Sequence, residues 1–180
     1  WDCYKRLIKE NGAIVLTASQ PFTSALVMSN PTLFKYEWIW EKNRGSGHLN
    51  AKIMPMKYHE NILVFGDKIT FNAIRESYSK TSTDRYNSGE VWKPKKKISD
   101  DNIVYGKFKS ENRVFLNPDG KAPSSIKYFS TVDIQNGSRI HPTQKPVDLM
   151  KYLILTYTNE NETVLDNTMG SGTTGVACMD

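Results

Sequence analysis

The run Thr163-Val-Leu-Asp-Asn-Thr-Met-Gly-Ser-Gly-Thr-Thr-Gly-Val-Ala-Cys178 carries the residue types best suited to bind a small polar ligand through the backbone. Gly170 and Gly172 have no Cβ, so the chain can turn sharply there and approach a ligand closely. Thr163 to Leu165 predicts a short apolar strand with Asp166 at its end. Met169 to Gly172 predicts a tight turn, and Thr173 onward a helix. A turn placed at a helix start offers unpaired N–H groups and the positive end of the dipole to an anionic or polar group. An ordinary glycine loop between a strand and a helix fits the same letters equally well. A phosphate loop would need Gly-Lys-Ser/Thr, and no Lys follows Gly172. Gly170, Gly172 and Gly175 satisfy the Gly-x-Gly-x-x-Gly spacing of dinucleotide sites. The acidic partner of that fingerprint would fall about 20 residues on, past Asp180. The spacing therefore admits a dinucleotide or an adenosine-containing cofactor and does not choose between them.

The surrounding elements read as alternating helices and strands. Trp1 to Lys9 has helical spacing, and Asn11-Gly12 stops it. Ala13 to Ala18 predicts a strand buried on both faces of a parallel sheet. Pro21 suits the first turn of a helix through Met28, which Asn30-Pro31 breaks. Lys35 to Lys42 alternates, with Tyr36, Trp38 and Trp40 on one face and Glu37, Ile39 and Glu41 on the other. Asn43 to Gly47 reads as a flexible loop carrying Arg44. Asn61 to Phe65 is a further strand, closed by Gly66-Asp67. Pro146 opens a helix to about Tyr157 with Val147, Met150, Leu153, Ile154 and Tyr157 on its apolar face. This alternation predicts an α/β sheet with helices on its faces.

At 180 residues, with 38% hydrophobic and 24% charged residues, the chain is one domain's worth with room for an insert. No apolar run is long enough to span a membrane. Cys3 and Cys178 are too few for a disulfide framework and have no metal-ligand partners at short spacing, so a reducing, cytoplasmic setting and no metal are expected. Net charge is +5, which favours a polyanionic partner. All the excess lies in residues 67–139, with 14 Lys/Arg against 9 Asp/Glu; the remainder holds 10 of each. That stretch is rich in Ser, Asn, Lys and Tyr without sustained periodicity, and includes Lys93, Lys95, Lys96 and Lys97. Alone it reads as a solvated surface insert.

His141-Pro-Thr-Gln-Lys-Pro146 followed by Leu165-Asp-Asn-Thr-Met-Gly-Ser-Gly-Thr-Thr-Gly175 resembles the amino-group DNA methyltransferases of the permuted β type. Gly12 to Ser19, Tyr36 to Lys42, Leu49 to Lys52 and His59 to Phe65 are similar to segments of that family, in its order. The resemblance covers most of the chain outside its middle third. It implies a Rossmann-like methyltransferase sheet, partial and in permuted order, with an inserted target-recognition region. The domains would be 1–66, the target-base half of the core; 67–139, the DNA-facing insert; and 140–180, the cofactor half. It further implies methyl transfer from S-adenosylmethionine (SAM) to an exocyclic amino group of double-stranded DNA, adenine N6 favoured over cytosine N4. By resemblance, Thr143 and Lys145 lie near the methionine carboxylate and Asp166 takes the amino end. Asn167, Gly170, Ser171, Gly172 and Thr173 complete the cofactor site. Ser19 and Gln20 line the target-base pocket, and Arg44 with Lys93, Lys95, Lys96 and Lys97 meet DNA. A homodimer and a cognate restriction enzyme stay open.

An exocyclic base nitrogen is a poor nucleophile, because its lone pair is delocalised into the ring. The family frees that lone pair with an Asp-Pro-Pro-Tyr or Ser-Pro-Pro-Trp/Tyr motif, and no such motif occurs in the 180 residues. It is expected upstream of Trp1. No catalytic residue is assigned, and these residues by themselves are expected to be inactive. The family often has Asp-Pro-Phe before the Gly loop. Here Asp166-Asn167-Thr168 stands instead, which removes an apolar wall. The target base must also leave the stack, at a cost of about a few kcal/mol. A ring-carbon mechanism would need a nucleophilic Cys after Pro, and neither cysteine has that setting. The alternative from another class is a non-catalytic nucleic-acid-binding protein on a decayed methyltransferase scaffold. A nicotinamide dehydrogenase rests on the glycine spacing alone.

Overall fold

The computed structural model describes residues 1–87, 117–132 and 139–180. Lys93, Lys95, Lys96 and Lys97 lie outside the described residues. The chain divides into two compact units, residues 1–74 with 124–180, and Arg75–Pro123. In the first, the elements run α1 (Asp2–Leu7), β1 (Ile14–Ala18), α2 (Phe22–Ser29), β2 (Phe34–Ser46), a 3₁₀ turn (His48–Asn50), β3 (Lys57–Phe65), β4 (Ile126–Tyr128), α4 (Val147–Tyr157) and α5 (Thr173–Met179). The second unit holds α3 (Lys80–Asn87). It is closed by an isolated Glu76–Lys121 bridge with an ion pair at 3.2 Å, and by the Asn117 N–H donating to the Tyr78 hydroxyl. Residues 124–132, β4 among them, belong to the first unit although the sequence places them in the insert.

The sheet has the order β1-β3-β2-β4. β3 runs antiparallel to both β1 and β2, and among the described residues only β2 and β4 pair in parallel. The expectation that Ala13 to Ala18 is a strand of a parallel sheet is thus corrected: β1 pairs antiparallel with β3. The link from β2 to β3 contains a single 3₁₀ turn, too little chain for a crossover, so β3 must return antiparallel. The sequence mimics a parallel strand because helices cover both faces of this sheet, whatever the strand direction.

β3 is the axis of the core. Ile62, Leu63, Val64 and Phe65 are each at most 1% exposed. Ile62 and Val64 pack with Trp38, Trp40, Leu149, Leu153 and Tyr157 on the α4 side. Leu63 and Phe65 pack with Ile14, Ala18, Trp1, Tyr4, Leu26 and Val27 on the α1–α2 side. Period-two alternation in one strand therefore feeds both layers. Trp38 Nε1–H donates to the Tyr157 hydroxyl, which donates in turn to Tyr36. Burial removes solvation from the Tyr157 phenolate and pushes its pKa up, so the chain stays neutral and intact at ordinary pH.

Three local expectations are corrected. The segment Asn43 to Ser46 is strand, not flexible loop: Ser46 pairs with Lys57, Gly45 is packed beneath the Tyr58 ring, and the Asn43 side chain accepts from Thr131 N–H at 2.9 Å. Thr163 to Leu165 forms no strand, because no described residue offers it a ladder, and Leu165 is 62% exposed. The apolar face of α4 is rotated from the expected one. Leu149, Leu153, Thr156 and Tyr157 are buried, while Val147, Met150 and Ile154 are half-buried. Thr156 satisfies its hydroxyl on the Tyr152 carbonyl, which is how a polar residue occupies the buried stripe.

Candidate cofactor site and target-base end of the sheet

The residues from Arg139 to Pro146 form a compact turn that leads into α4. The Ile140 N–H donates to Gln144 Oε1 at 2.9 Å, and the Gln144 N–H donates to the His141 carbonyl at 3.1 Å. Thr143 N–H donates to His141 Nδ1, and the Thr143 hydroxyl lies 3.1 Å from the same nitrogen. Pro146 is buried and caps α4. At the other end of the site, the Gly172 N–H closes the turn on the Met169 carbonyl at 2.8 Å. Gly170 and Gly172 have φ of +51° and +74°, values that L side chains rarely adopt.

These two segments meet. A Cβ at Gly170 would stand 3.6 Å from His141 Nδ1. His141 is thereby the contact between the turn and the glycine loop, a packing role. Around Gly172 a Cβ would meet nothing within 4 Å, so the backbone there is open to a small ligand. Asn167 and Thr143, on the two segments, are both exposed.

The charged residues expected in this site are engaged by the protein. Asp166 Oδ1 accepts from Thr168 N–H at 3.0 Å, and Oδ2 accepts from the Thr174 hydroxyl of α5. Asp166 thus ties the segment before it to the loop and to α5. Asn167 accepts from the Tyr4 hydroxyl at 3.3 Å. The Ser171 hydroxyl lies 2.9 Å from that of Thr173, which is buried. Lys145 Nζ donates to Glu60 Oε2 at 3.0 Å, and Lys42 Nζ donates to Glu60 Oε1 at 3.2 Å. The two ammonium groups stand 5.6 and 5.7 Å from the Trp40 ring centroid. Burial pushes the Glu60 carboxyl up, but the hydrogen bonds and charges of Lys145 and Lys42 outweigh it and hold the pKa below the usual glutamate value.

Ser19 and Gln20 lie at the C-terminal end of β1, where Ala18 is the register partner of Asn61. Ser19 is half-buried and its carbonyl accepts from Thr23 N–H, while exposed Gln20 accepts from the Ser24 hydroxyl at 2.9 Å. Beside them Thr23 donates to Asn61, whose amide donates to Glu37 at 2.8 Å. Arg44 is exposed near the far end of β2. β2 and β3 continue past β1 on this side, so Arg44 and Ser19 face the same end of the sheet.

Sequence reasoning missed Glu60, Lys42 and Asn61. Asn61 could have been suspected as a polar residue opening an apolar run. Nothing in the spacing of 42, 60 and 145 signals that they meet. Among the described residues no cluster of His, Cys, Asp and Glu could hold a metal, and no helix is long and apolar enough to cross a membrane.

The DNA methylase family of N6/N4 methyltransferases matches residues 1–180. The chain is 32% identical to the Type II methyltransferase M1.MboII of Moraxella bovis over 87% of its length and 59% of the relative's. It is 29% identical to M.HpaI of Haemophilus parainfluenzae over 98% of its length and 48% of the relative's. It therefore spans about half to three fifths of these relatives. The structure of an M1.HpyAVI–SAM complex superposes with a TM-score of 0.55 at 27% identity, covering 98% of this chain and 66% of that one. The cytosine-N4-specific PvuII DNA methyltransferase, at 14% identity and TM-score 0.54, shares the fold. The Rossmann-like methyltransferase sheet, in the permuted order the sequence implies, is thus shown, and by the match across its whole length this chain belongs to the DNA methylase family.

Proposed function

We propose that the protein is a site-specific DNA methyltransferase that moves a methyl group from SAM to an exocyclic amino group in double-stranded DNA, with adenine N6 favoured over cytosine N4. The observation that supports it most is the packing of His141 on Gly170, which joins the two family motifs around an open backbone at Gly172. When bound, SAM supplies an electrophilic methyl group on a sulfonium. Thr143, Asn167 and the backbone from Gly170 to Thr173 hold its methionine end, and Asp166 keeps that loop in shape while leaving the amino group a carboxylate to approach. Ser19 and Gln20, at the end of β1, accept the flipped base. Arg44 and the lysines at 93 and 95–97 contact phosphates, the latter within the stretch 67–139 that separates the core halves 1–66 and 140–180 and returns residues 124–132 to the core sheet.

The test has two parts. Calorimetric titration of the 180-residue chain with S-adenosylhomocysteine is expected to show saturable binding, which nicotinamide dinucleotide does not compete away. Methyl transfer to duplex DNA by the complete gene product, followed by nucleoside analysis, is expected to yield N6-methyladenine. Binding to DNA with no methylated nucleoside would instead support a non-catalytic binder on this scaffold. Turnover by residues 1–180 alone would overturn the expectation that the chemistry needs an Asp-Pro-Pro-Tyr-type motif, which these residues lack.

A further inference from the structure

Lys145 sits in the family-like segment 141–146, and its charge invites the role of ligand for the cofactor carboxylate. We propose that it is instead a strut, and that Glu60 is a positioning residue of the cofactor site acting through it. This rests on the cofactor reading above. Trp40 and Glu60 are direct register partners on adjacent strands, so the carboxylate rises beside the indole on the α4 face of the sheet. Each of its oxygens takes one ammonium: Oε1 takes Lys42 and Oε2 takes Lys145. The side chains of Glu60 and Lys145 are 21% and 24% exposed, and that of Lys42 is 8% exposed. The indole is itself pinned, donating from Nε1 to the Phe129 carbonyl at 2.8 Å.

Freeing Lys145 to reach a ligand would leave a half-buried carboxylate with one partner in place of two, a loss that a carboxylate in an open site does not offset. The pair bridges 85 positions of sequence and fixes the 139–146 turn on β3. The same turn presents His141 to Gly170. The line of contact runs from β3 through Glu60, Lys145 and His141 to the glycine loop, and touches no reacting atom. It places the loop relative to the rigid sheet, which a pocket needs before it can select a ligand.

Two probes separate strut from ligand. S-adenosylhomocysteine carries the carboxylate, and methylthioadenosine lacks it. In calorimetric titrations, Lys145→Met and Glu60→Gln are each expected to weaken both probes by about tenfold, leaving the ratio of the two affinities unchanged. The double variant is expected to lose no more than either single one, as for groups that act through each other. Selective loss of S-adenosylhomocysteine binding in Lys145→Met, with Glu60→Gln unaffected, would make Lys145 a ligand and overturn the proposal. If the wild-type chain binds neither probe, the cofactor reading fails, and hydrogen exchange still decides the strut. Glu60→Gln should then speed exchange of the Ile140 and Gln144 amides, whose hydrogen bonds define the turn. Unchanged exchange there would refute it.

Discussion

β3 and the glycine loop are both needed to place a ligand, and they are built in opposite ways. Ile62 to Phe65 are buried against helices on both faces, and their position is decided by many weak contacts. Met169 is 62% exposed and Gly170 has one nearby ring, so the loop's position is decided by a few hydrogen bonds and one packed imidazole. The first region is insensitive to any single polar partner. The second can be displaced by losing one. A binding loop needs that second construction, since the surface that meets a ligand cannot also be filled by protein.

The contrast predicts where substitutions act. Phe65→Ala empties a site packed by Trp1, whose ring centroid is 4.9 Å away, and by Phe34 at 5.5 Å. It should cost about 3–5 kcal/mol in chemical denaturation, through the α1–α2 face of the sheet. A loss below about 1 kcal/mol would mean that β3 is not the axis of the core.

Two glycines sharpen the comparison at the next scale. Gly66 has no room: a Cβ would lie 2.3 Å from Ile69 Cγ2 and 2.9 Å from the Gly12 carbonyl. Gly66→Ala is expected to lower stability by about 1–3 kcal/mol. Gly172→Ala meets no neighbour and carries only the strain of its positive φ, about 1 kcal/mol. Its larger effect should be on cofactor affinity, because the new methyl occupies the opening. Equal stability losses for the two would erase the distinction between filled and open backbone.

The smallest effect concerns pH. The folded-state pKa of Glu60 lies below its ordinary value of 4.5. Its contribution is therefore fully present above that value and is lost as pH falls through the lower folded one. Urea midpoints measured from neutral pH downward should carry the full Glu60 contribution down to its ordinary value of 4.5 and lose it as pH falls further toward the lower folded one. Glu60→Gln should remove part of that decline. An identical acid limb in both proteins would show that the lysine pair contributes nothing in solution.

Much of this was legible in the residues. The alternation of Tyr36, Trp38 and Trp40 specifies a strand with one aromatic face, because period two is a property of the extended backbone. Pro146 and the apolar run after it specify a helix, and Gly170 and Gly172 specify a turn. The family motifs were readable for the same reason: they are contiguous, and local geometry follows from local sequence.

What only the tertiary structure decided is direction and partnership. β3 runs antiparallel because the chain between it and β2 is too short to cross over, a matter of three-dimensional connection that a buried strand's composition does not record. Thr163 to Leu165 has a strand's composition yet no strand, since a ladder needs a neighbour. Lys42, Glu60 and Lys145 are unremarkable letters far apart in the chain, and they become one charged cluster only where a register pair and a helix start converge on the same indole.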